Sequence, residues 1–162
     1  MSRIALDDRD LRILTILSRE GRIAKAELAR RVNLSPTPCW QRLDRMLRAG
    51  LIRGFRAEIE LAQLGPHVTV FVMIELDTHR AESFRLFEAS IASIEEITDA
   101  WALGGGYDYL LRVIVPDVAA YQTLMDSLLE RRAGLKRYYS YIVTKPVKFA
   151  PPPLHLLQDG SS

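Results

Sequence analysis

Leu34-Ser35-Pro36-Thr37-Pro38-Cys39-Trp40-Gln41-Arg42-Leu43-Asp44-Arg45-Met46-Leu47-Arg48-Ala49-Gly50 reads as one helix with two different faces. Two starts satisfy the rules for a helix N-terminus: Ser35 as cap with Pro36 first, or Thr37 as cap with Pro38 first. Either proline is tolerated in a first turn, whose N–H groups lack intrahelical partners. A residue before proline, however, is pushed out of the α region. Gly50 follows the last periodic residue and suits a left-handed C-terminal position. Cys39, Leu43, Met46 and Leu47 recur at helical spacing as a core-facing stripe. Thr37, Gln41 and Arg45 step by four along a different face, with Arg42 and Arg48 beside it. Arginine forks bond guanine edges or clamp phosphates, and glutamine pairs with adenine. The face therefore suits a DNA recognition helix, in competition with an ordinary solvated surface.

The flanking sequence favours DNA. Upstream, Asp7 can cap a first helix, Asp10 lies three residues on, and Leu6 and Leu11 are spaced as a hydrophobic staple. Leu11, Ile13, Leu14, Ile16 and Leu17 form its buried side through about Glu20, and Gly21 ends it. A second helix runs from Ile23 to Arg31 with Leu28 and Ala29 inward. Val32-Asn33-Leu34 is the turn, where Asn33 tolerates a left-handed backbone. Helix, short turn and arginine-bearing helix make a helix-turn-helix. Downstream, Leu51 to Glu60 reads as extended, a wing or connecting strand, with Arg53 and Arg56 placed for phosphate or for solvent.

Gly65-Pro66 marks a boundary. Beyond it, Val68–Leu76 reads as a strand, Thr78–Ile91 as a helix (Phe84, Phe87 and Ile91 inward) and Ile94–Leu103 as a strand. Gly104-Gly105-Gly106 turns the chain into a third strand, Tyr107–Val115. Pro116-Asp117 opens a helix (Tyr121, Leu124, Leu128) ending near Gly134, and Lys136–Phe149 is the last strand. This βαββαβ order is ferredoxin-like. With helices on one face only, the sheet's other face is left seeking a partner. The expected organisation is α+β: a winged helix-turn-helix over 1–62, a ferredoxin-like domain over 63–150, and a mobile tail over 151–162.

The 162 residues are 48% hydrophobic and 26% charged, ordinary for a globular protein. No apolar run approaches the roughly 20 residues of a membrane span, and the N-terminus lacks a signal-peptide core. The single cysteine, Cys39, excludes an internal disulfide and suits the cytoplasm; on its apolar stripe it reads as a small buried hydrophobe. Residues 1–62 carry 13 Lys and Arg against 8 Asp and Glu, a net +5, whereas residues 63–162 carry −3. A basic first part and an acidic second part suit a nucleic-acid module tied to something else.

These pieces in their order resemble the leucine-responsive/asparagine-regulator (Lrp/AsnC) family of transcription regulators over about residues 6–149. The resemblance rests on Leu6-Asp7-Asp8-Arg9-Asp10, Gly21-Arg22-Ile23, Glu27-Leu28-Ala29, Leu34-Ser35-Pro36-Thr37-Pro38-Cys39, Arg42-Leu43, Gly50-Leu51-Ile52-Arg53-Gly54-Phe55 and Gly105-Gly106-Tyr107-Asp108-Tyr109. It implies a DNA-binding regulator that acts on pseudo-palindromic double-stranded DNA as a homodimer or a higher oligomer such as an octamer. It also implies a small amino-acid-like effector bound between dimers, and neither cofactor, metal nor membrane. The matching DNA-facing positions are Ser35, Pro36, Thr37, Gln41, Arg42 and Arg45. The matching effector loop is Gly104, Gly105, Gly106, Tyr107 and Asp108. Consecutive glycines let backbone N–H groups approach a carboxylate, and Asp108 suits an ammonium group; a plain tight turn is the competing reading.

Two positions depart from the family pattern. Ala24 stands where a capping Ser or Thr is common, a loss of about 0.5–2 kcal/mol. Trp40 stands where a smaller aliphatic residue is common, and either packs in the domain or lies against the DNA backbone. The string Thr37-Pro38-Cys39-Trp40 is similar to a cysteine-responsive subgroup. Two rival functions are an architectural DNA organiser with little sequence preference and an enzyme resembling tetrapyrrole decarboxylases of similar architecture. The enzyme reading lacks support, because His67, His79 and His155 form neither an acid–base cluster nor a zinc spacing, and Gly104-Gly105-Gly106 is not a phosphate loop.

Overall fold

The computed structural model describes residues 4–131 and 134–157. The chain divides into two units, one running to Ile59 and joined by the chain from Lys148 onward, the other covering Glu60–Val147.

In the first unit, α1 (Asp8–Leu17), α2 (Lys25–Arg31) and α3 (Pro36–Arg48) surround a core of Ile13, Leu28, Ala29, Val32, Cys39, Leu43 and Met46. Cys39 is thus one of the buried hydrophobes, and burial raises its thiol pKa. The start of α1 is a capping box: Asp7 accepts from the Arg9 and Asp10 N–H groups, and Asp10 accepts from the Asp7 N–H. It ends at Leu17, a few residues short of the expected Gly21, because Ser18 to Glu20 already turn back on Leu14 and Ile16. Ala24 leaves α2 without a side-chain cap, as anticipated.

The ends of α2 and α3 are the same device. Asn33 (φ 53°) follows α2, with the Asn33 N–H on the Arg30 carbonyl and the Leu34 N–H on the Ala29 carbonyl. Gly50 (φ 71°) follows α3, with the Gly50 N–H on the Leu47 carbonyl and the Leu51 N–H on the Met46 carbonyl. Each is a Schellman cap, which is why Asn and Gly stand there. The expected wing, Leu51–Glu60, forms no strand ladder among the described residues. Extended chain becomes a strand only where a neighbour accepts its hydrogen bonds. The tail also differs from expectation. Leu154–Leu156 is a short 3₁₀ turn against α1, with Leu154 half-buried. Asp159-Gly160-Ser161-Ser162 lie outside the described residues.

The second unit is β1 (Val68–Leu76), α4 (Ala81–Ile91), β2 (Ile97–Ala102), β3 (Tyr109–Val115), α5 (Val118–Glu130) and β4 (Leu135–Ile142), in sheet order β2-β3-β1-β4 with every pairing antiparallel. This is the ferredoxin-like topology. Alternation sends Val70, Val72, Ile74 and Leu76 of β1 and Tyr109, Leu111, Val113 and Val115 of β3 into a core with Phe87, Ile91, Tyr121, Met125 and Leu128 of the helices. The last strand is shorter than expected, since Ile142 already pairs with Val70 near the start of β1 and Pro146 lacks an N–H.

Tyr109 sits in this core against Phe87, ring centroids 4.6 Å apart, and its hydroxyl donates to Glu88 Oε1 at 2.8 Å. Burial first, then the Glu88 carboxylate, pushes its pKa up to about 12. A phenol whose folded pKa is raised contributes stability that is complete below its unfolded value near 10 and is lost as pH climbs through the folded one. Urea midpoints measured across this alkaline range should fall more steeply for the native protein than for Tyr109→Phe.

Candidate nucleic-acid interface and effector loop

The structure selects one of the two possible starts of α3. Ser35 is the cap and Pro36 occupies the first position, but Ser35 makes no side-chain cap bond. Two of the first three helical positions, Pro36 and Pro38, have no N–H to give it. The hydroxyl of the exposed Ser35 is therefore not used for capping.

Thr37, Gln41 and Arg45 are exposed along one side of α3, opposite the buried Cys39, Leu43 and Met46. Arg42 belongs to a different environment. Its Nη1 donates to Asp7 Oδ2 at 2.6 Å and to Asp10 Oδ1 at 2.9 Å, and its side chain is 27% exposed. Arg45 Nη2 donates to Asp10 Oδ2 at 2.5 Å, while its side chain stays 47% exposed. Asp10 itself is 1% exposed. A carboxylate so removed from water is stable only when its lone pairs are filled, and here Arg42, Arg45 and the Asp7 N–H fill them. The Asp10 N–H and then Arg42 hold the Asp7 carboxyl below its ordinary pKa; Asp7 and then Asp10 raise that of Arg42.

Sequence reasoning took Asp7 and Asp10 as caps alone. A signal for the second role was present: Asp10 precedes Ile13, Leu14 and Leu17 by three, four and seven residues, placing an acid on the apolar stripe. The other missed contact is Lys25, whose Nζ lies 3.5 Å from the centroid of the Trp40 ring, with Trp40 41% exposed.

In the second unit, Gly104, Gly105 and Gly106 form the exposed connection between β2 and β3. None of the three takes a left-handed φ, and a Cβ added to any of them meets nothing within 4 Å. Neither turn geometry nor crowding within the unit calls for glycine there. Asp108 is buried at the foot of this loop; its Oδ2 accepts from the Leu76 N–H at 2.8 Å and its Oδ1 lies 3.1 Å from His79 Nε2. It closes the end of β1 rather than standing free beside the glycines. Tyr107 is half-buried, its ring edge-on to Tyr139 at 5.6 Å.

The sheet's helix-free face carries Phe71 and Met73 of β1, Leu110 and Ile114 of β3, and, paired across the ladder, Trp101, Tyr139 and Tyr141. Trp101, Tyr139 and Tyr141 are exposed. On the same face Glu75 pairs with Lys136 (2.7 Å) and Arg137 near the end of β1, and Arg112, opposite Phe71 on the central strand β3, pairs with Asp99. No group of three or more metal-ligating side chains occurs among the described residues, and no helix among them is long and apolar enough to cross a membrane.

Residues 6–53 match a winged helix-turn-helix DNA-binding family, and residues 69–153 match the Lrp/AsnC ligand binding domain. The chain belongs to the Lrp/AsnC family. It is 47% identical to the transcriptional regulatory protein DoeX of Halomonas elongata over 88% of this chain and 90% of DoeX. It is 39% identical to the leucine-responsive regulatory protein of Salmonella typhimurium over 88% and 87%. The crystal structure of a transcriptional regulator–L-methionine complex from Neisseria meningitidis superposes with a TM-score of 0.87 at 30% identity, covering 95% of this chain and all of that one. This Lrp/AsnC protein is thus a transcription regulator with a DNA-binding helix-turn-helix and an effector-binding domain, and its relatives are named as regulators.

Within the DNA-binding unit, removing Arg42 strands one oxygen of a buried carboxylate. Arg42→Ala should lower unfolding stability by about 1–3 kcal/mol. Arg48, whose side chain is 80% exposed beside Asp44, is the control: Arg48→Ala should stay within about 0.5 kcal/mol. Chemical denaturation of both variants checks the contrast.

Proposed function

We propose that this regulator reads a pseudo-palindromic operator through the exposed side of α3 and that an amino acid bound at the Gly104–Asp108 loop governs the reading. The observation that carries the DNA part is the row Thr37, Gln41 and Arg45, exposed on a helix whose other side is core. In a helix-turn-helix the N-terminal part of the second helix meets base edges. Thr37, Gln41 and Arg45 face the groove, the uncapped Ser35 hydroxyl donates to a phosphate, and Pro36 sets the helix start. Arg42 serves the same surface as its anchor. A second copy covers the apolar sheet face of Phe71, Met73, Trp101, Leu110 and Tyr141. The homodimer meets half-sites one turn of DNA apart, about 34 Å, and dimers join into a higher oligomer such as an octamer. The protein acts in the cytoplasm, where its DNA is, and is not an enzyme.

Support for an amino-acid effector comes from the methionine complex of the Neisseria meningitidis relative and from a loop whose three glycines answer no need of the fold. Bare backbone N–H groups there receive the effector carboxylate. Its ammonium reaches Asp108 Oδ1 by taking the place of His79.

For the DNA part, binding sites are selected from random duplexes with the native protein. Arg45→Ala and Gln41→Ala should each weaken the selected site by about 1–3 kcal/mol and relax one base position. Unchanged binding in both would remove this face from the interface, and a small specificity ratio in the native protein would favour an architectural role.

For the effector part, thermal unfolding is followed with L-methionine, L-leucine and L-cysteine, the last suggested by the Thr37-Pro38-Cys39-Trp40 string. A ligand at about 100 times its Kd adds about 2.7 kcal/mol to the native state, a rise of several degrees. Gly105→Val should leave the ligand-free midpoint unchanged and abolish the rise.

A further inference from the structure

Asp10 lies on α1, outside the recognition helix, yet its carboxylate touches two arginines of that helix. Arg42 and Arg45 are three residues apart on one flank of α3, and the buried Asp10 carboxylate meets one of them with each oxygen. The two arginines are held differently. Arg42 gives the same nitrogen to both Asp7 and Asp10 and is the more covered. Arg45 gives only Nη2; the rest of its guanidinium has no hydrogen-bond partner among the described residues and borders a hollow with Gln41, Pro38, Leu6 and Asp7.

A free arginine side chain samples many rotamers and loses them when it docks. A guanidinium is planar, so tethering one nitrogen to a carboxylate that is itself held narrows the directions open to the others. Asp10 cannot move. Its Oδ2 is also held by the Asp7 N–H in the capping box, and its own N–H is held by Asp7 Oδ1. The rigid start of α1 is thus transmitted through one carboxylate to the exposed fork of Arg45.

We propose that Asp10 is a positioning residue for sequence reading, orienting the Arg45 fork beside Gln41 before DNA arrives. The proposal rests on α3 being the DNA-reading element. Preorganisation of this kind adds affinity only where the fork's direction matters, at a base edge. It leaves contacts governed by charge alone unchanged.

The experiment uses the full-length protein, duplex sites selected by it, and random-sequence duplex as the non-specific reference. Asp10→Asn keeps the shape and removes the charge that holds the fork. It should lower the ratio of specific to non-specific affinity about tenfold, within what one base contact supplies, while non-specific affinity does not fall, because the variant carries one negative charge fewer beside Arg42 and Arg45. The double variant Asp10→Asn/Arg45→Ala should be no less specific than Arg45→Ala alone, because the two act through one contact. A native specificity ratio in Asp10→Asn alongside a loss in Arg45→Ala would overturn the proposal and leave the reading of α3 standing. So would losses that simply add in the double variant. Native binding by Arg45→Ala would overturn both. A measurement on the native protein needs no folded variant: side-chain ¹⁵N relaxation should show the Arg45 guanidinium restrained in the free protein. An Arg45 as mobile as the exposed Arg48 would overturn the proposal.

Discussion

A carboxylate with almost no access to water must be paired on every side, and Asp10 meets that demand by drawing two arginines of another helix to the start of its own. The first unit meets this constraint at one end of its core. Its core is small, seven buried residues among those described, with part-buried neighbours, and helices around a small core can slide. The Asp7–Asp10 capping box and the Asp10–Arg42–Arg45 cluster remove that freedom at one end, and the two Schellman caps remove it at the turns. The side of α3 left over, with Thr37, Gln41 and Arg45, is held in a defined attitude. A reading surface needs that attitude, since a hydrogen-bond pattern on base edges is discriminated only by donors in known places.

The second unit meets a different constraint. Its sheet has two faces and its helices cover one. The covered face is aliphatic with Tyr109 among the helices. The uncovered face mixes Phe71, Met73, Trp101, Leu110 and two tyrosines with ion pairs, one of them through Arg112 opposite Phe71. Such a composition is costly to leave in water and well suited to association. At the β2–β3 end, Asp108 satisfies the backbone of β1 while the glycines next to it stay unconstrained. Strand ends tied together by Asp108 thus flank a bare, exposed stretch of backbone.

Much of this was legible beforehand because the relevant signals are local. The Asn33 and Gly50 turns, the uncapped Ala24, the buried Cys39 and the βαββαβ order all follow from residue types a few positions apart. The signals that misled concern extent. Leu51–Glu60 and the end of the expected last strand have strand-like composition, yet no ladder partner lies beside either among the described residues. Leu154 sits in a stretch that reads as loose tail, yet an apolar residue next to α1 gains by packing there.

By itself the sequence determined the class of this protein. Helical and strand periodicities, turn residues and the motif order are properties of neighbours along the chain, and they suffice for a helix-turn-helix followed by a ferredoxin-like domain. Only the tertiary structure decided what the charged groups do. Which acid Arg42 pairs with, whether Asp108 stands open or closes a strand, and whether Trp40 carries Lys25 depend on residues 32, 32 and 15 positions apart meeting in space. The reason is physical: a charge takes whatever counter-charge or donor folding brings within about 3 Å, and no local pattern encodes that distance.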